Sequence, residues 1–157
     1  MSRINYAAGL MAQAGYRKRD GLSALERGES AYSVRLFQEA LELSLKGLLI
    51  GIGADYPKRH NLPSFLKSIT HLLPKDIQGN LAKITITISL LAKMRTISSY
   101  GSEAELVVPD RLVDIQIART IVEDGLLIFE IIEKEITLLV EKSLDSEKNK
   151  IYSPTSS

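Results

Sequence analysis

The sequence predicts an all-α protein, a helical bundle in which one helix is enclosed by the others. Three observations carry this. The stretch 30–53, SAYSVRLFQEALELSLKGLLIGIG, holds two apolar stripes at helical spacing, where a surface helix would hold one. The segment 76–99 keeps helical spacing through Leu81, Ile84, Ile88 and Leu91, and no other segment alternates as a strand partner would. The segment 110–143 carries one long apolar stripe from Leu112 to Leu139.

In chain order, 7–27 reads as a first helix with Leu10, Ala14, Leu22 and Leu25 facing inward, weakened by Gly15 and Gly21. Gly28 is suited to its C-terminal cap and Ser30 to the N-cap of the central helix. In the central helix, Val34, Phe37, Leu41, Leu45, Leu48 and Ile52 form one stripe, and Leu36, Ala40, Leu43, Gly47 and Ile50 the other. Ser33, Ser44 and Gly47 allow another helix to come close, while Arg35, Gln38, Glu39, Glu42 and Lys46 gather in a polar wedge. A loop follows, and Asn61 with Pro63 starts a short helix over 62–72 that ends before Pro74. The run Ile84-Thr85-Ile86-Thr87-Ile88-Ser89 is β-branched and alternates, yet a lone strand has nothing to pair with, so 76–99 is read as helix. Gly101 stops it, an acidic loop follows, and Pro109-Asp110 opens the last helix. That helix spans on the order of 50 Å, so it either bends near Gly125 or projects onto a second subunit. Residues 144–157 are polar and aperiodic and are expected to form a flexible tail behind a 1–143 domain.

Composition excludes more than it selects. A chain of 157 residues with 45% hydrophobic and 25% charged residues is one globular domain, and a net charge of +1 provides no overall attraction for nucleic acid. Without cysteine there is no disulfide or thiolate chemistry, and two histidines outside any metal-ligand spacing give no reason to invoke a metal or cofactor. No apolar run is long enough for a membrane span or a signal peptide, so the expected setting is the cytoplasm, without membrane contact.

The candidate functional residues are few. Arg95 extends the Leu81–Ile84–Ile88–Leu91 stripe by one turn, and a guanidinium aligned with an apolar face needs an anion, a carboxylate or the rim of a groove. Glu103 and Glu105 are carboxylates that could serve it internally. Glu42 and Lys46 stand at ion-pair spacing, and a polar strip facing a cleft would bring Glu42 close to Arg95. The loop before Asn61 clusters Tyr56, Lys58, Arg59 and His60. The run Arg17-Lys18-Arg19 reads as a solvated face, with a phosphate-facing patch as its functional alternative.

The segment from Gln38 to Leu49, QEALELSLKGLL, resembles the signature second helix of HEPN domains. The basic loop ending in His60-Asn61-Leu62 is similar to the start of that family's third helix, and Arg95-Thr-Ile-Ser-Ser-Tyr100 falls where the family carries an Arg-x4–6-His motif. The resemblance covers 7–143 and implies an up-and-down bundle of about five helices forming a homodimer, with a composite site in a cleft between subunits. Family members with the full motif are metal-independent ribonucleases, often toxins paired with a small nucleotidyltransferase antitoxin. In them His accepts the 2′-OH proton and Arg stabilises the phosphorane-like transition state. Here Tyr100 stands in the histidine's place, and an unperturbed tyrosine with a pKa near 10 is a poor base at neutral pH, though it still donates to phosphate or stacks on a base. The leading expectation is therefore binding of a nucleotide or RNA phosphate at the subunit interface by Arg95 and Tyr100, with Lys46, Glu42, His60 and Arg59 around them. The alternatives are a divergent ribonuclease using Arg95 with Tyr100 or His60, and a non-catalytic helical interaction protein.

Overall fold

The computed structural model describes residues 1–56 and 61–153. Its elements are α1 (Arg3–Glu26), α2 (Ser30–Gly51), α3 (Leu62–Ser68), a single 3-10 turn (Thr70–Leu72), α4 (Lys75–Gly79), α5 (Leu81–Tyr100), α6 (Pro109–Leu112) and α7 (Ile115–Tyr152). The chain is all-α, and α1, α2, α5 and α7 run up, down, up and down, with α3 as a shorter fifth wall. The directions follow from the contacts: Gly21 meets Phe37 while Gly47 meets Ala7, so α1 opposes α2, and Gly125 meets Phe37 while Gly47 meets Ile136, so α7 runs along α2.

Helix α2 is the enclosed one. Val34, Phe37, Leu41, Leu45, Leu48 and Leu49 are all fully buried, and so are the small polar residues Ser33 and Ser44. Their hydroxyls are satisfied by backbone carbonyls, Ser33 donating to Gly21 at 2.8 Å and Ser44 to Leu41 at 3.0 Å. Both ends of the α1–α2 hairpin are stopped by glycines in the left-handed region, Gly28 (φ +77°) and Gly53 (φ +80°). In each, the glycine N–H and the next N–H turn back onto the last-turn carbonyls, Glu29 to Ala24 and Ala54 to Leu49 at 2.9 Å.

Four sequence expectations are corrected. Ser30 is not the N-cap of α2. It is the buried first residue of the helix, and its hydroxyl donates to the Val113 carbonyl at 2.6 Å. The cap comes from elsewhere: Asp110 Oδ1 accepts from the Ala31 N–H at 3.0 Å. The segment 76–99 is divided at Asn80, whose amide donates to the Asp76 carbonyl at 2.8 Å and holds the break between α4 and α5. The last helix starts later than Asp110, because Val113 is buried in a turn and Asp114 then caps α7 through the Gln116 and Ile117 N–H groups. Finally, α7 continues to Tyr152 rather than ending near Ser143, so 144–152 are helical. This stretch is mostly polar, with no Gly or Pro to stop it, and the helix simply outruns its apolar stripe. At 38 residues α7 is about 57 Å long.

Between α5 and α6, Gly101 (φ +69°) turns the chain so tightly that a β-carbon there would collide with the Val107 carbonyl. Ser102 and Val107 exchange both backbone hydrogen bonds at 2.9 Å, and Leu106 takes a left-handed φ of 55° at the tip.

The glycines of α1 test this packing account. Gly15 faces open space, so Gly15→Ala is expected to raise stability by about 0.5–1 kcal/mol through helix propensity. At Gly21 a β-carbon would lie 2.8 Å from Phe37 Cδ2, and Gly125 blocks the ring from the other side. Gly21→Ala is therefore expected to lower stability by about 1–2 kcal/mol, overpacking outweighing propensity. Urea melts of the two variants should move in opposite directions; movement in the same direction would contradict the wedge.

Candidate functional site

The polar wedge of α2 has two different fates. On one side Glu39 is used structurally, accepting from Arg17 at 3.1 Å and from Arg35 at 3.5 Å. Arg19 pairs with Asp20 at 3.4 Å and Lys18 lies 4.7 Å from the centre of the Phe129 ring, so all three basic residues of the 17–19 run have intramolecular partners. On the other side Gln38 and Glu42 face the space between α2, α3 and α5.

That space is a cleft of about 680 Å³, within the range of small-molecule sites. Gln38, Leu41 and Glu42 of α2 line one wall, Ile88, Lys93 and Arg95 of α5 the other, and Tyr56, Asn61 and Pro63 the end between them. The Asn61 side chain accepts from the Ser64 N–H at 3.3 Å, which caps α3 and sets its first turn, containing Pro63, at the cleft. Glu42 and Tyr56 also border a second recess of about 410 Å³, lined further by Arg3, Lys46 and Asp55. The two hollows form one groove along α2 with Glu42 and Tyr56 at its middle.

The structure brings Glu42 and Arg95 into the lining of one cleft. Arg95 lies on the inward stripe of α5, one turn beyond buried Leu91, and is exposed where that stripe opens into the cleft. Among the described residues no carboxylate comes within ion-pair distance of it, and neither Glu103 nor Glu105 serves it. The Glu42–Lys46 ion pair suggested by their spacing is absent: Glu42 Oε2 accepts from Gln38 Nε2 at 2.8 Å, and Lys46 Nζ stands 5.9 Å from the Tyr56 ring centre. Lys46 therefore belongs to the second recess.

Tyr100 does not join Arg95. Five residues of helix separate them by about 140°, and Tyr100 is 71% exposed on the outer face of α5, away from the cleft lining. Arg59 and His60 lie outside the described residues. His71 is exposed in the 3-10 turn. Among the described residues no group of three or more acidic or histidine side chains is arranged to hold a metal ion, and no helix is long and apolar enough to cross a membrane.

Lys93, Gln38 and Arg3 were not among the sequence candidates for the site, and Tyr56 was singled out only as part of the loop cluster before Asn61. Lys93 is two residues from Arg95 and Gln38 one turn from Glu42, so both were within reach of the helical pattern. Arg3 carries no such signal, because it reaches the groove across the α1–α2 hairpin, its Nη1 beside Gly53. Tyr56 is half-buried, with its ring edge-on to Phe65 at 6.5 Å. Burial, and secondarily the negative charge of Glu42, raise its phenol above the ordinary tyrosine value.

Comparison with known proteins gives two matches. The family model described as HEPN domain matches residues 7–136. The crystal structure of TT1696 from Thermus thermophilus is similar in fold, with a TM-score of 0.67 and 21% identity over 83% of this chain and 98% of that one. No curated protein sequence matches this chain.

The Tyr56 environment predicts a titration. In an ultraviolet pH titration, the component lost in Tyr56→Phe should have its midpoint above 10, and Glu42→Gln should lower that midpoint without returning it to 10, since burial is the larger cause. Stability owed to keeping the phenol neutral is complete below pH 10 and is lost as pH rises through the raised folded value. A Tyr56 component with its midpoint at 10 or lower would contradict its placement in the groove wall.

Proposed function

Because the chain belongs to the HEPN domain family, we propose that it binds a nucleotide or an RNA phosphate in the cleft between α2, α3 and α5, and does so as a homodimer. One observation carries the binding site: Arg95 enters the cleft with no carboxylate to neutralise it among the described residues. A guanidinium offers five donors in a planar fork that matches phosphate oxygens in pairs. Lys93 adds a second positive charge on the same wall.

The homodimer is supported by the other side of α5. Ile86, Leu90, Ile97 and Tyr100 recur on its outward stripe and are all exposed, Ile86 by 68%. A helix that is apolar on both faces is normally covered on both. Lys93 lies on this outward stripe and in the cleft lining alike, so a second copy packed there borders the binding site. On family grounds the protein partner we propose is a small nucleotidyltransferase.

Binding is favoured over RNA cleavage because Tyr100, standing where the family motif has its histidine, is turned away from Arg95 in the same chain. Incubation with labelled RNA in the presence of chelator separates the two. The expected result is a retained complex that Arg95→Ala weakens by about 10- to 100-fold, the loss of hydrogen bonds to a charged group. Cleavage that Arg95→Ala abolishes would replace the binding reading with the ribonuclease. Absence of both binding and cleavage would leave the interaction protein.

Gel filtration checks the dimer separately. The wild type is expected near 35 kDa, roughly twice the 17.4 kDa chain, and Leu90→Glu near the monomer mass, because it buries an unpaired charge in the proposed interface. A wild type that elutes as a monomer at micromolar concentration would remove the homodimer.

A further inference from the structure

Glu42 is ill suited to a site for phosphate alone. It stands at the middle of the groove, where a carboxylate repels an anion, and among the described residues no lysine or arginine comes within 4.0 Å of it. Cations flank it on both sides without neutralising it, Lys93 and Arg95 in the cleft and Arg3 and Lys46 in the recess, where Asp55 offsets one of the two charges. A ligand that suits this charge order has an anionic part for the flanks and hydrogen-bond donors for the centre.

The chemistry of the centre is specific. Gln38 Nε2 donates to Glu42 Oε2 at 2.8 Å, which fixes the sense of the Gln38 amide and leaves its Oε1 as an acceptor. One turn apart on the same helix face, Glu42 Oε1 and Gln38 Oε1 accept no hydrogen bond among the described residues, which leaves a pair of acceptors. Such an edge selects a ligand edge with adjacent donors. Guanine has one, N1–H beside the N2 amine. Adenine and cytosine each set a single amine beside a ring nitrogen that is itself an acceptor, and uracil has one N–H between two carbonyls. Tyr56, with its ring in the same wall, supplies an aromatic surface for a base.

Resting on the reading of this cleft as a nucleotide or RNA-phosphate site, we infer that the ligand carries a guanine base, recognised by Glu42 with Gln38. Because cations lie on both sides of Glu42, a guanine held there has a positive charge in either direction for its sugar-phosphate. The same site therefore suits a free guanine nucleotide and a guanosine within single-stranded RNA.

Isothermal titration of the full chain with GMP, IMP, AMP, CMP and UMP tests this. GMP is expected to bind about tenfold or more tightly than AMP, CMP and UMP, and IMP, which lacks the N2 amine, in between. In Glu42→Gln, a change at an exposed position whose folding circular dichroism verifies, the preference should fall to within about threefold while binding of the other nucleotides persists, since the amide presents one donor and one acceptor group. Equal affinity for all five nucleotides, or a GMP preference that survives in Glu42→Gln, would overturn the guanine inference and leave the phosphate cleft standing. No binding by any of them would remove the cleft reading and the base with it.

Discussion

The Phe37 ring, held edge-on between Gly21 of α1 and Gly125 of α7, is the contact from which the rest of the bundle takes its geometry. A β-carbon at Gly21 would lie 2.8 Å from one edge of the ring and one at Gly125 3.2 Å from the other, so both backbones close on a single side chain of α2. A second set of small residues repeats the arrangement further along, with Gly47 against the Ala7 carbonyl and Gly51 against Leu139 and Ala7. Two helices, α1 and α7, are thereby locked at short range around much of the circumference of α2. What is left of that circumference is the strip with Gln38, Glu42 and Lys46. The cleft lies along this strip, with α3 and α5 lining its other sides.

Helix α5 explains why charge collects there. Its inward stripe is buried at Ile84 and Leu91 and then runs past the core, so that Arg95, at the next position of the same stripe, emerges into the cleft. A guanidinium cannot replace an aliphatic side chain in a packed interior, and here it is not asked to. It marks the point at which the helix changes from wall of the core to wall of a hollow. Along the groove Arg3 and Lys46, with Asp55 beside them, lie on one side of Glu42, and Lys93 and Arg95 on the other. That order favours a ligand with an electropositive centre and an anionic flank over a simple anion.

Much of this was legible in the residues. The double stripe of 30–53 predicted an enclosed helix, and the alignment of Arg95 with Leu81, Ile84, Ile88 and Leu91 called for an anion, a carboxylate or a groove rim, because period and composition are local properties. What escaped depended on residues far apart in sequence. Ser30 resembles a cap by type, yet Asp110, 79 positions from Ala31, holds the Ala31 N–H and frees Ser30 for Val113. The Glu42–Lys46 spacing suggested a pair, but Gln38 on one side and the Tyr56 ring on the other outcompete it. Arg3 is separated from Glu42 by most of two helices, and only the closing of the α1–α2 hairpin brings it to the groove. Tyr100 was legible as the residue at the motif's histidine position and illegible in direction, since five residues turn a helix face by about 140°.

The two faces of α5 also connect the proposed binding with the proposed assembly. An α-helix of 20 residues is a stiff rod, and here one side of it forms the cleft wall with Ile88 and Arg95 while the other exposes Ile86, Leu90 and Ile97. Lys93 lies where the two sides meet. In the proposed homodimer, a second molecule on the outward stripe would lower the dielectric around Lys93 and so strengthen the attraction of that wall for a phosphate. By reciprocity, a ligand that draws Lys93 toward the cleft changes the surface offered to the second molecule. In the proposed reading, occupancy of the groove and pairing through α5 are linked through one helix rather than by rearrangement of the bundle, whose other three long helices are already locked around Phe37.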